Sequence, residues 1–198
     1  MTFRIGHFLL LFFSPLLLTA CDGETIKSNP VELTRSANGY YCGMIVVDHP
    51  GPKAQVHEAH RSNPRWFSSV RDALVYLRLP GEAQKVTGVY VHDMGQADSW
   101  DKPQNDGIWI RAEEAHYVIE SSRRGGMGAK ETVPFANAEL AEKFVDEFGG
   151  RVVAYRDIGD DYVLGDKKEH KEESVPANQK DHSDHKDHVH PTNHKKEL

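Results

Sequence analysis

The amino-acid sequence predicts an α+β fold that consists of two related β-β-α-β units. Short segments rich in β-branched and aromatic residues flank two stretches of helical periodicity, and turn-forming residues separate them. The motif Phe67-Ser68-Ser69 opens the first helical stretch, and Phe135-Ala136-Asn137 opens the second in the same way. This parallel indicates an internal repeat, with units expected at about residues 39–95 and 106–158 of a single domain over 39–164.

The first unit is predicted to contain three strands around one helix. The helix is expected to have about ten residues, with Ser68 or Ser69 as its N-cap, and to end at Pro80-Gly81. A turn signal, Asp48-His49-Pro50-Gly51-Pro52, separates the first two strands. The strands are expected at residues 44–47, 54–57 and 86–91.

The second unit is predicted to repeat this arrangement. Its helix is expected to begin after Asn137 as N-cap and to stop at Gly149-Gly150, because glycine favours the left-handed conformation that ends helices. Its strands are expected at residues 107–111, 116–119, 131–135 and 152–155.

Composition narrows the class of protein. The 198 residues carry a net charge of −6, and the 24 Lys and Arg residues are scattered and outnumbered by 30 Asp and Glu residues. This balance argues against nucleic-acid binding. The sequence contains no phosphate-binding loop and no paired-cysteine zinc motif, so nucleotide binding and structural zinc are not expected.

The N-terminal residues have the layout of a bacterial lipoprotein signal. Residues 1–20 combine Arg4 with a short apolar run, and they end in Leu18-Thr19-Ala20-Cys21, which resembles a lipobox. In that pattern Cys21 receives a diacylglycerol thioether and becomes the new N-terminus. Ordinary secretion with cleavage nearby is the alternative. The polar residues 21–38 are predicted to be a lipidated tether.

The C-terminal residues 165–198 are predicted to be a disordered tail, because they contain almost no large apolar side chains. An Asp-His unit recurs there every three residues. Closely spaced imidazoles and carboxylates on a flexible chain chelate Cu(II), Zn(II) or Ni(II), although a solvated tail with no metal role is the alternative. The candidate tail ligands are His182, His185, His188 and His190.

The central chemical feature is Cys42, with Met44 two positions away. Lipidation of Cys21 would leave Cys42 as the free thiol, and a thiolate with a thioether suits Cu(I) better than metals that prefer oxygen. Met127 lies between glycines, where it has little side-chain bulk to pack against. The alternative is that the cysteine and methionines are core residues. Five histidines are possible nitrogen donors: His49, His57, His60, His92 and His116.

These residues lie in motifs that resemble the NosL family, the copper-binding accessory lipoproteins of nitrous oxide reductase biogenesis. Behind the lipobox, the motifs occur in the order Tyr41-Cys42-Gly43-Met44, Val91-His92-Asp93-Met94, Ala115-His116-Tyr117-Val118, Gly125-Gly126-Met127-Gly128 and Val133-Pro134-Phe135. The resemblance runs from the signal to about Tyr155.

The resemblance implies a lipid-anchored, periplasm-facing metallochaperone that binds one Cu(I) ion and delivers it for assembly of the copper-sulfide centre. The implied partners are apo nitrous oxide reductase, an ABC-type maturation complex, and the membrane through the lipid on Cys21. The family fold of two β-β-α-β units agrees with the predicted repeat. The implied ligands are the thiolate of Cys42 and the thioethers of Met44 and Met127, with His92 and His116 as candidates for a nitrogen ligand.

Two other functions would use some of the same residues. A lone cysteine among histidines could act as a nucleophile, as in a cysteine-dependent enzyme related to organomercurial lyase. That chemistry uses a pair of cysteines, and lipidation would leave one, so the protein is not expected to be an enzyme. A general periplasmic buffer for divalent metals, acting through the histidine-rich tail, is the second alternative.

Overall fold

Two small antiparallel sheets, each with its own helix, form the structure. The computed structural model describes residues 28–103 and 106–165. The predicted signal peptide, the lipid-attachment residue Cys21 and the tail after Gly165 lie outside these residues. The mixed architecture confirms the predicted α+β class.

The first unit has the predicted β-β-α-β order, but with a different pair of strands before the helix, because the strand at residues 65–67 was not predicted and the strand expected at 44–47 is absent. It contains β1 (Ala54–Glu58), β2 (Arg65–Phe67), α1 (Val70–Arg78) and β3 (Val86–His92). The strand predicted at 44–47 is wrong, because Val46–Asp48 is a 3-10 turn. Val46 is fully buried and its N–H bonds to Ala37 O at 3.0 Å, so the apolar run packs as a turn instead of pairing as a strand.

The second unit repeats the topology of the first. It contains β5 (His116–Ile119), β6 (Val133–Phe135), α2 (Ala138–Phe148) and β7 (Arg151–Ala154), while β4 (Trp109–Arg111) precedes it. The sheet order β6-β5-β7 matches the order β2-β1-β3, with the first strand of each unit in the centre.

Strand β4 is the exception to the predicted second unit. Its residues pair with β3, with Tyr90 opposite Arg111 and His92 opposite Trp109. The strand therefore extends the first sheet, in the order β2-β1-β3-β4.

The helix ends agree with the sequence signals. Ser69 caps α1 by accepting a hydrogen bond from Asp72 N at 3.3 Å. Asn137 caps α2 by accepting from Glu139 N at 2.7 Å and Leu140 N at 3.2 Å. Each cap satisfies backbone donors that have no partner inside the helix. The predicted caps and the helices they begin are confirmed.

Two apolar cores hold the sheets and helices together. The larger lies under α1 and joins the two sheets, and the smaller lies between the second sheet and α2. Members of the larger core include Val56, Phe67, Leu74, Tyr117 and Ile119. Members of the smaller core include Val118, Val133, Phe135 and Ala141.

Residues 28–38 were expected to be part of the tether, but they pack on the first sheet. The side chain of Gln55 bonds both backbone groups of Val31, each at 3.0 Å. Leu33 and Ala37 are buried in a third cluster with Val46. Gln55 of β1 thus pairs this segment's backbone, and Trp66 of β2 and Trp109 of β4 pack against its buried side chains, so the folded part begins before residue 38.

The described chain closes with a short helix, α3 (Asp160–Leu164), which packs against α1. Arg78, at the end of α1, donates to Ile158 O at 2.7 Å and Gly159 O at 3.1 Å. Among the described residues, no helix has the length and apolar character needed to cross a bilayer.

Candidate metal site

Cys42 lies in a tight loop of residues 39–44, which we call the Cys42 loop. Gly39 N donates to Met44 O at 2.9 Å, and Gly43 N donates to Gly39 O at 2.8 Å. Gly43 has φ = +68°, a left-handed conformation that carries no Cβ penalty in glycine. The backbone therefore holds Cys42 between two closing hydrogen bonds.

The thiol of Cys42 is half-buried and free, and its Sγ lies 3.8 Å from Ser68 Oγ. Ser68 stands immediately before the N-cap of α1. On its other side the thiol lies against Gly39, where a Cβ atom would overlap Sγ. A glycine at position 39 is thus required by the close approach of the sulfur.

Aromatic rings anchor the Cys42 loop to the first sheet. The Tyr40 ring packs edge-on against Phe67 and Tyr76, and the Arg65 guanidinium lies 4.3 Å from the centre of the Tyr40 ring. Tyr41 also packs on Phe67, and burial raises the pKa of Tyr41 to about 12, so its phenol is neutral at physiological pH. These contacts fix the loop beside β2.

Met127 stands at the tip of a second loop, the Met127 hairpin of residues 124–130. Arg124 and Lys130 form an antiparallel bridge at its base. Gly125 N donates to Ala129 O at 3.0 Å and forms the inner turn. Met127 is 48% exposed, so the residue lies at the surface of the hairpin.

Ser68 connects the Met127 hairpin to the thiol. A Cβ atom on Gly126 would lie 2.6 Å from Ser68 O and 2.8 Å from His49 Cβ, which shows how closely the hairpin backbone approaches both residues. Ser68 thus contacts Cys42 through its hydroxyl group and Gly126 through its carbonyl group. The fold brings the two predicted sulfur segments to opposite sides of one serine.

His49 also contacts the Met127 hairpin, through a hydrogen bond to its backbone. Its Nδ1 donates to Gly126 O at 3.1 Å. The ring is half-buried, and its Cβ faces the Gly126 backbone. Because His49 follows the Cys42 loop closely in sequence, this hydrogen bond couples the two loops.

A buried carboxyl group anchors the stem of the hairpin. Glu131 Oε1 accepts from Ser69 Oγ at 3.2 Å, from Arg71 N at 3.0 Å and from Thr132 N at 2.8 Å. Burial raises the pKa of Glu131 to about 7. Glu131 Oε2 occupies the space that a Cβ on Gly125 would need. The hairpin is therefore packed onto the N-terminus of α1.

A buried cation lies in the same region. Lys53 Nζ donates to Pro50 O at 3.2 Å and to Gly51 O, and burial lowers the pKa of Lys53 to about 8. The Glu131 carboxyl acts in the opposite direction and favours the charged lysine. Two buried ionisable groups thus lie behind the surface that presents the sulfur atoms.

Met44 completes the exposed sulfur set. Met44 is 45% exposed, and its carbonyl group closes the Cys42 loop. A half-buried thiol and two exposed thioethers on neighbouring loops form a soft donor surface.

Of the two predicted histidine ligands, His92 is buried away from solvent, and His116 lies in the second sheet. His92 ends β3, is 0% exposed, and packs its ring 4.1 Å from the Trp109 ring. Burial, with a smaller effect of Lys53, lowers the pKa of His92 to about 3, so the ring is neutral. His116 opens β5 in the second sheet, opposite Phe135.

Within residues 28–103 and 106–165, no group of three or more His, Cys, Asp and Glu side chains could hold a metal ion. Cys42, His92 and His116 thus do not form one such group. The predicted ligand set of Cys42, Met44, Met127, His92 and His116 stays a prediction, and the tail histidines lie outside the described residues.

The sequence does not predict that Ser68 or His49 contacts the Met127 hairpin. It marks Ser68 as a possible helix cap and His49 as one of five possible nitrogen donors. The turn signal that contains His49 was visible, but nothing local marks a serine that contacts a distant thiol.

The fold and the site define an α+β protein that presents thiol and thioether donors on adjoining surface loops. The chain belongs to the NosL family, whose family model matches residues 30–163.

Known relatives support this assignment. The chain is 45% identical over 160 residues to the copper-binding lipoprotein NosL of Achromobacter cycloclastes, covering 80% of this chain and 82% of the relative. It is 35% identical over 144 residues to the copper-binding lipoprotein NosL of Stutzerimonas stutzeri, covering 71% and 73%. The crystal structure of the copper chaperone NosL from Shewanella denitrificans matches with a TM-score of 0.62 at 30% identity, covering 68% of this chain and 97% of that chain.

Proposed function

We propose that this protein is a Cu(I) chaperone that delivers copper for assembly of the copper-sulfide centre of nitrous oxide reductase. The observation that carries the proposal is the position of Ser68, whose hydroxyl contacts the Cys42 thiol while its carbonyl contacts Gly126 beside Met127. Membership of the NosL family and the names of its copper-binding relatives support copper as the metal.

The donor atoms favour Cu(I) over harder or divalent ions. A thiolate and thioethers are soft ligands, and Cu(I) accepts low coordination numbers that a few sulfur atoms can satisfy. In contrast, Mg²⁺ and Ca²⁺ require several oxygen ligands. We therefore assign the metal to Cys42, Met44 and Met127.

The exposure of the donors suits transfer of the metal. Met44 and Met127 are each close to half exposed, so a ligand from an acceptor protein can approach the copper while the thiolate still holds it. Such stepwise exchange needs an open site, whereas a closed four-ligand site holds its metal as a structural element.

The surroundings of the thiol support binding rather than catalysis. In the described residues its hydrogen-bonding neighbour is the Ser68 hydroxyl, which is not a general base. None of the relatives named above is described as an enzyme. The proposed role is therefore carriage of a metal ion without turnover.

The location and the partners follow from the same proposal. The lipobox-like ending at Cys21 and the lipoprotein names of the relatives support a lipid anchor that keeps the domain at the membrane, facing the periplasm. The proposed partners are apo nitrous oxide reductase and its ABC-type maturation complex.

Metal binding is tested by Cu(I) titration against a chromophoric chelator, using the chain from Asp22 to Leu198. Met44→Leu and Met127→Leu should each lower the Cu(I) affinity by about tenfold, because each variant loses one thioether ligand. Met94→Leu is the matched control, because Met94 packs against the core beneath α2. If Met44→Leu and Met127→Leu bound Cu(I) as tightly as the Met94→Leu control, the assignment of the two thioethers as ligands would be contradicted.

Delivery is tested separately by mixing the copper-loaded protein with apo nitrous oxide reductase. We expect copper to move to the reductase from the wild-type protein, and Cys42→Ser to supply none. Copper that stays on the chaperone in the presence of the reductase and its maturation complex would contradict the delivery role while leaving the metal site intact.

A further inference from the structure

We propose that the base of the Met127 hairpin is a docking surface for an acidic segment of the protein that accepts the copper. This surface rests on the proposed function and deepens it, because it names the chemistry by which the acceptor is recognised. Two exposed cations, Arg124 and Lys130, form the surface, and they lie opposite each other in the hairpin.

The two cations are held side by side by the backbone. Arg124 and Lys130 are partners in the antiparallel bridge that closes the hairpin. Residues directly opposite each other in such a bridge project their side chains from the same face, with Cβ atoms about 4.5–5.5 Å apart. Like charges in this position repel each other and destabilise the pair. A carboxylate beside both cations would offset this repulsion, so the pair favours an anionic partner.

No carboxylate among the described residues neutralises this pair. Other arginine side chains of the described chain have an Asp or Glu oxygen within 3.6 Å, namely those of Arg35, Arg65, Arg78, Arg111 and Arg151. Neither Arg124 nor Lys130 forms such an ion pair within residues 28–103 and 106–165. Residues 121–130 contain three Arg and Lys residues and no Asp or Glu, in a chain of net charge −6. The hairpin is therefore a local positive surface on an acidic protein.

The third cation of this segment, Arg123, has a structural role. Its guanidinium carbon lies 4.4 Å from the centre of the Phe148 ring and 4.8 Å from that of the Trp100 ring. Arg123 is half-buried and Arg124 is exposed, as expected for successive side chains that project to opposite sides of an extended segment. The ring contacts of Arg123 and the buried Glu131 hold the two ends of the hairpin on the domain. The opposed cations thus stand on a fixed support, which lowers the entropic cost of docking.

The docking surface lies close to the proposed copper ligand Met127. Each cation is three residues from Met127, so its Cα lies within about 11 Å of the Met127 Cα even for a fully extended chain. The hydrogen bond from Gly128 N to Gly125 O, at 2.9 Å, folds the hairpin more tightly than this limit. An acidic segment bound at the base therefore brings the acceptor's own ligands near the thioether.

A protein segment fits this surface better than a lipid bilayer does. Membrane-binding basic segments carry clusters of roughly 4–8 Lys and Arg residues, whereas the hairpin exposes two. A bilayer that covered the hairpin would also block the approach of an acceptor to the copper. Charge complementarity with a protein instead raises the rate of encounter and orients the partner.

The first test needs no copper and uses the chain from Asp22 to Leu198. The probe is a short synthetic peptide of alternating glutamate and glycine, and the same peptide with glutamine in place of glutamate is its control. Arg124→Gln with Lys130→Gln removes both charges of the surface. Lys143→Gln with Arg156→Gln is the matched control variant, because it removes one exposed Lys and one exposed Arg on α2 and in the turn after β7. Amide chemical shifts of the isotope-labelled protein report binding.

We expect the acidic peptide to shift the amide signals of residues 122–130 in the wild-type protein and in the control variant. The double variant of the hairpin should bind the peptide about tenfold more weakly, and the glutamine peptide should bind to none of the proteins. Binding should weaken as NaCl rises from about 50 to about 500 mM, because salt screens exposed charges. Equal affinity in the double variant, shifts confined to other residues, or no binding of the acidic peptide would overturn the proposal.

Copper transfer to apo nitrous oxide reductase and its maturation complex is the second measurement. The double variant of the hairpin should transfer Cu(I) about tenfold more slowly than the control variant at low salt, with unchanged Cu(I) affinity, because it keeps all three sulfur ligands. Equal transfer rates would overturn the docking surface and leave the proposed function standing. If the wild-type protein transferred no copper, the delivery role would fail, and peptide binding would still decide the docking surface.

Vesicles that contain phosphatidylglycerol test the lipid alternative. We expect the wild-type protein and the double variant of the hairpin, both without the lipid anchor, to cosediment with these vesicles equally weakly. Cosedimentation that requires Arg124 and Lys130, without binding of the acidic peptide, would make the surface a membrane contact and overturn the proposal.

Discussion

Cys42 Sγ lies 3.8 Å from Ser68 Oγ, which places the thiol beside the N-terminus of α1. The same serine contacts Gly126 through its carbonyl oxygen. Ser68 thus contacts both the Cys42 loop and the Met127 hairpin and sets their relative position. We expect substitutions that disturb the contacts of Ser68 with Cys42 and Gly126 to lower the Cu(I) affinity more than they lower the stability of the fold.

Gly126 is the most sensitive position of the hairpin. In Gly126→Ala, the new Cβ would meet Ser68 O at 2.6 Å and His49 Cβ at 2.8 Å, so the hairpin must move away. We expect Cu(I) affinity to fall by about tenfold or more in a competition titration.

Gly128→Ala is the control for that experiment. Gly128 has φ = +80° and no atom within 4 Å of its Cβ position, so alanine there adds about 1–2 kcal/mol of backbone strain but no collision. Similar copper affinities for the two variants would show that contact with Ser68 does not position the hairpin.

His49 should act by positioning the hairpin rather than by binding the metal. His49→Asn places an amide donor where Nδ1 now bonds Gly126 O, but it removes Nε2. We expect His49→Asn to keep most of the Cu(I) affinity and His49→Ala to lose several-fold. Equal, large losses in both variants would instead identify His49 as a copper ligand.

Glu131 should make folding stability fall as pH rises through neutrality. Burial raises the pKa of Glu131 from 4.5 to about 7, so the folded state retains the proton that the unfolded state releases. The stabilisation is complete below pH 4.5 and is lost as pH rises through about 7, at about 1.4 kcal/mol per pKa unit.

Urea unfolding of Glu131→Gln between pH 4.5 and 8 measures this contribution. The amide cannot ionise, so the fall in unfolding free energy seen in the wild-type protein should flatten. Glu142→Gln, on the exposed face of α2, should follow the wild-type curve. A Glu131→Gln curve parallel to that of the wild type would show that the carboxyl does not titrate in this range.

His92 has the opposite pH dependence. The pKa of His92 is lowered from 6.5 to about 3. The contribution of the neutral ring to folding stability is therefore complete above pH 6.5 and is lost as pH falls towards 3. Neither ring nitrogen has a hydrogen-bond partner among the described residues. His92→Leu should thus raise the unfolding free energy at pH 5 by about 1–2 kcal/mol and make acid unfolding begin at lower pH.

Copper binding in His92→Leu decides whether His92 belongs to the ligand set. The wild-type ring is packed on Trp109, so we expect unchanged Cu(I) affinity. His116→Gln provides the same test in the second sheet. A loss of about tenfold in either variant would restore that histidine as a nitrogen ligand.

Local signals in the sequence were sufficient for the helices and their caps. Ser69 and Asn137 bond to backbone groups two or three residues away, and this chemistry is readable from neighbouring residues. The same local patterns predicted β1, β3 and the strands of the second sheet, but they did not predict β2 (Arg65–Phe67). Local patterns also predicted a loop at the Met127 hairpin, because its glycines permit a sharp turn.

The features that the sequence did not predict depend on packing between residues that are distant in the chain. The apolar run at Val46 was assigned to a strand, but burial against Leu33 and Ala37 makes it a turn. The packing of residues 28–38 depends on Gln55, a polar residue in a central strand. Likewise, contact of Ser68 with both Cys42 and Gly126 depends on how the two units are joined, and no local pattern encodes it.

The most direct test of the copper site is a double-mutant cycle of Cys42→Ser and Met127→Leu, followed by Cu(I) competition titration. We expect one tight equivalent in the wild-type protein, a loss of about 100-fold for Cys42→Ser, and a smaller loss for Met127→Leu. The combined loss should be less than the product of the two, because both sulfur atoms bind one ion. Wild-type affinity in Cys42→Ser, or fully independent losses, would contradict a shared site.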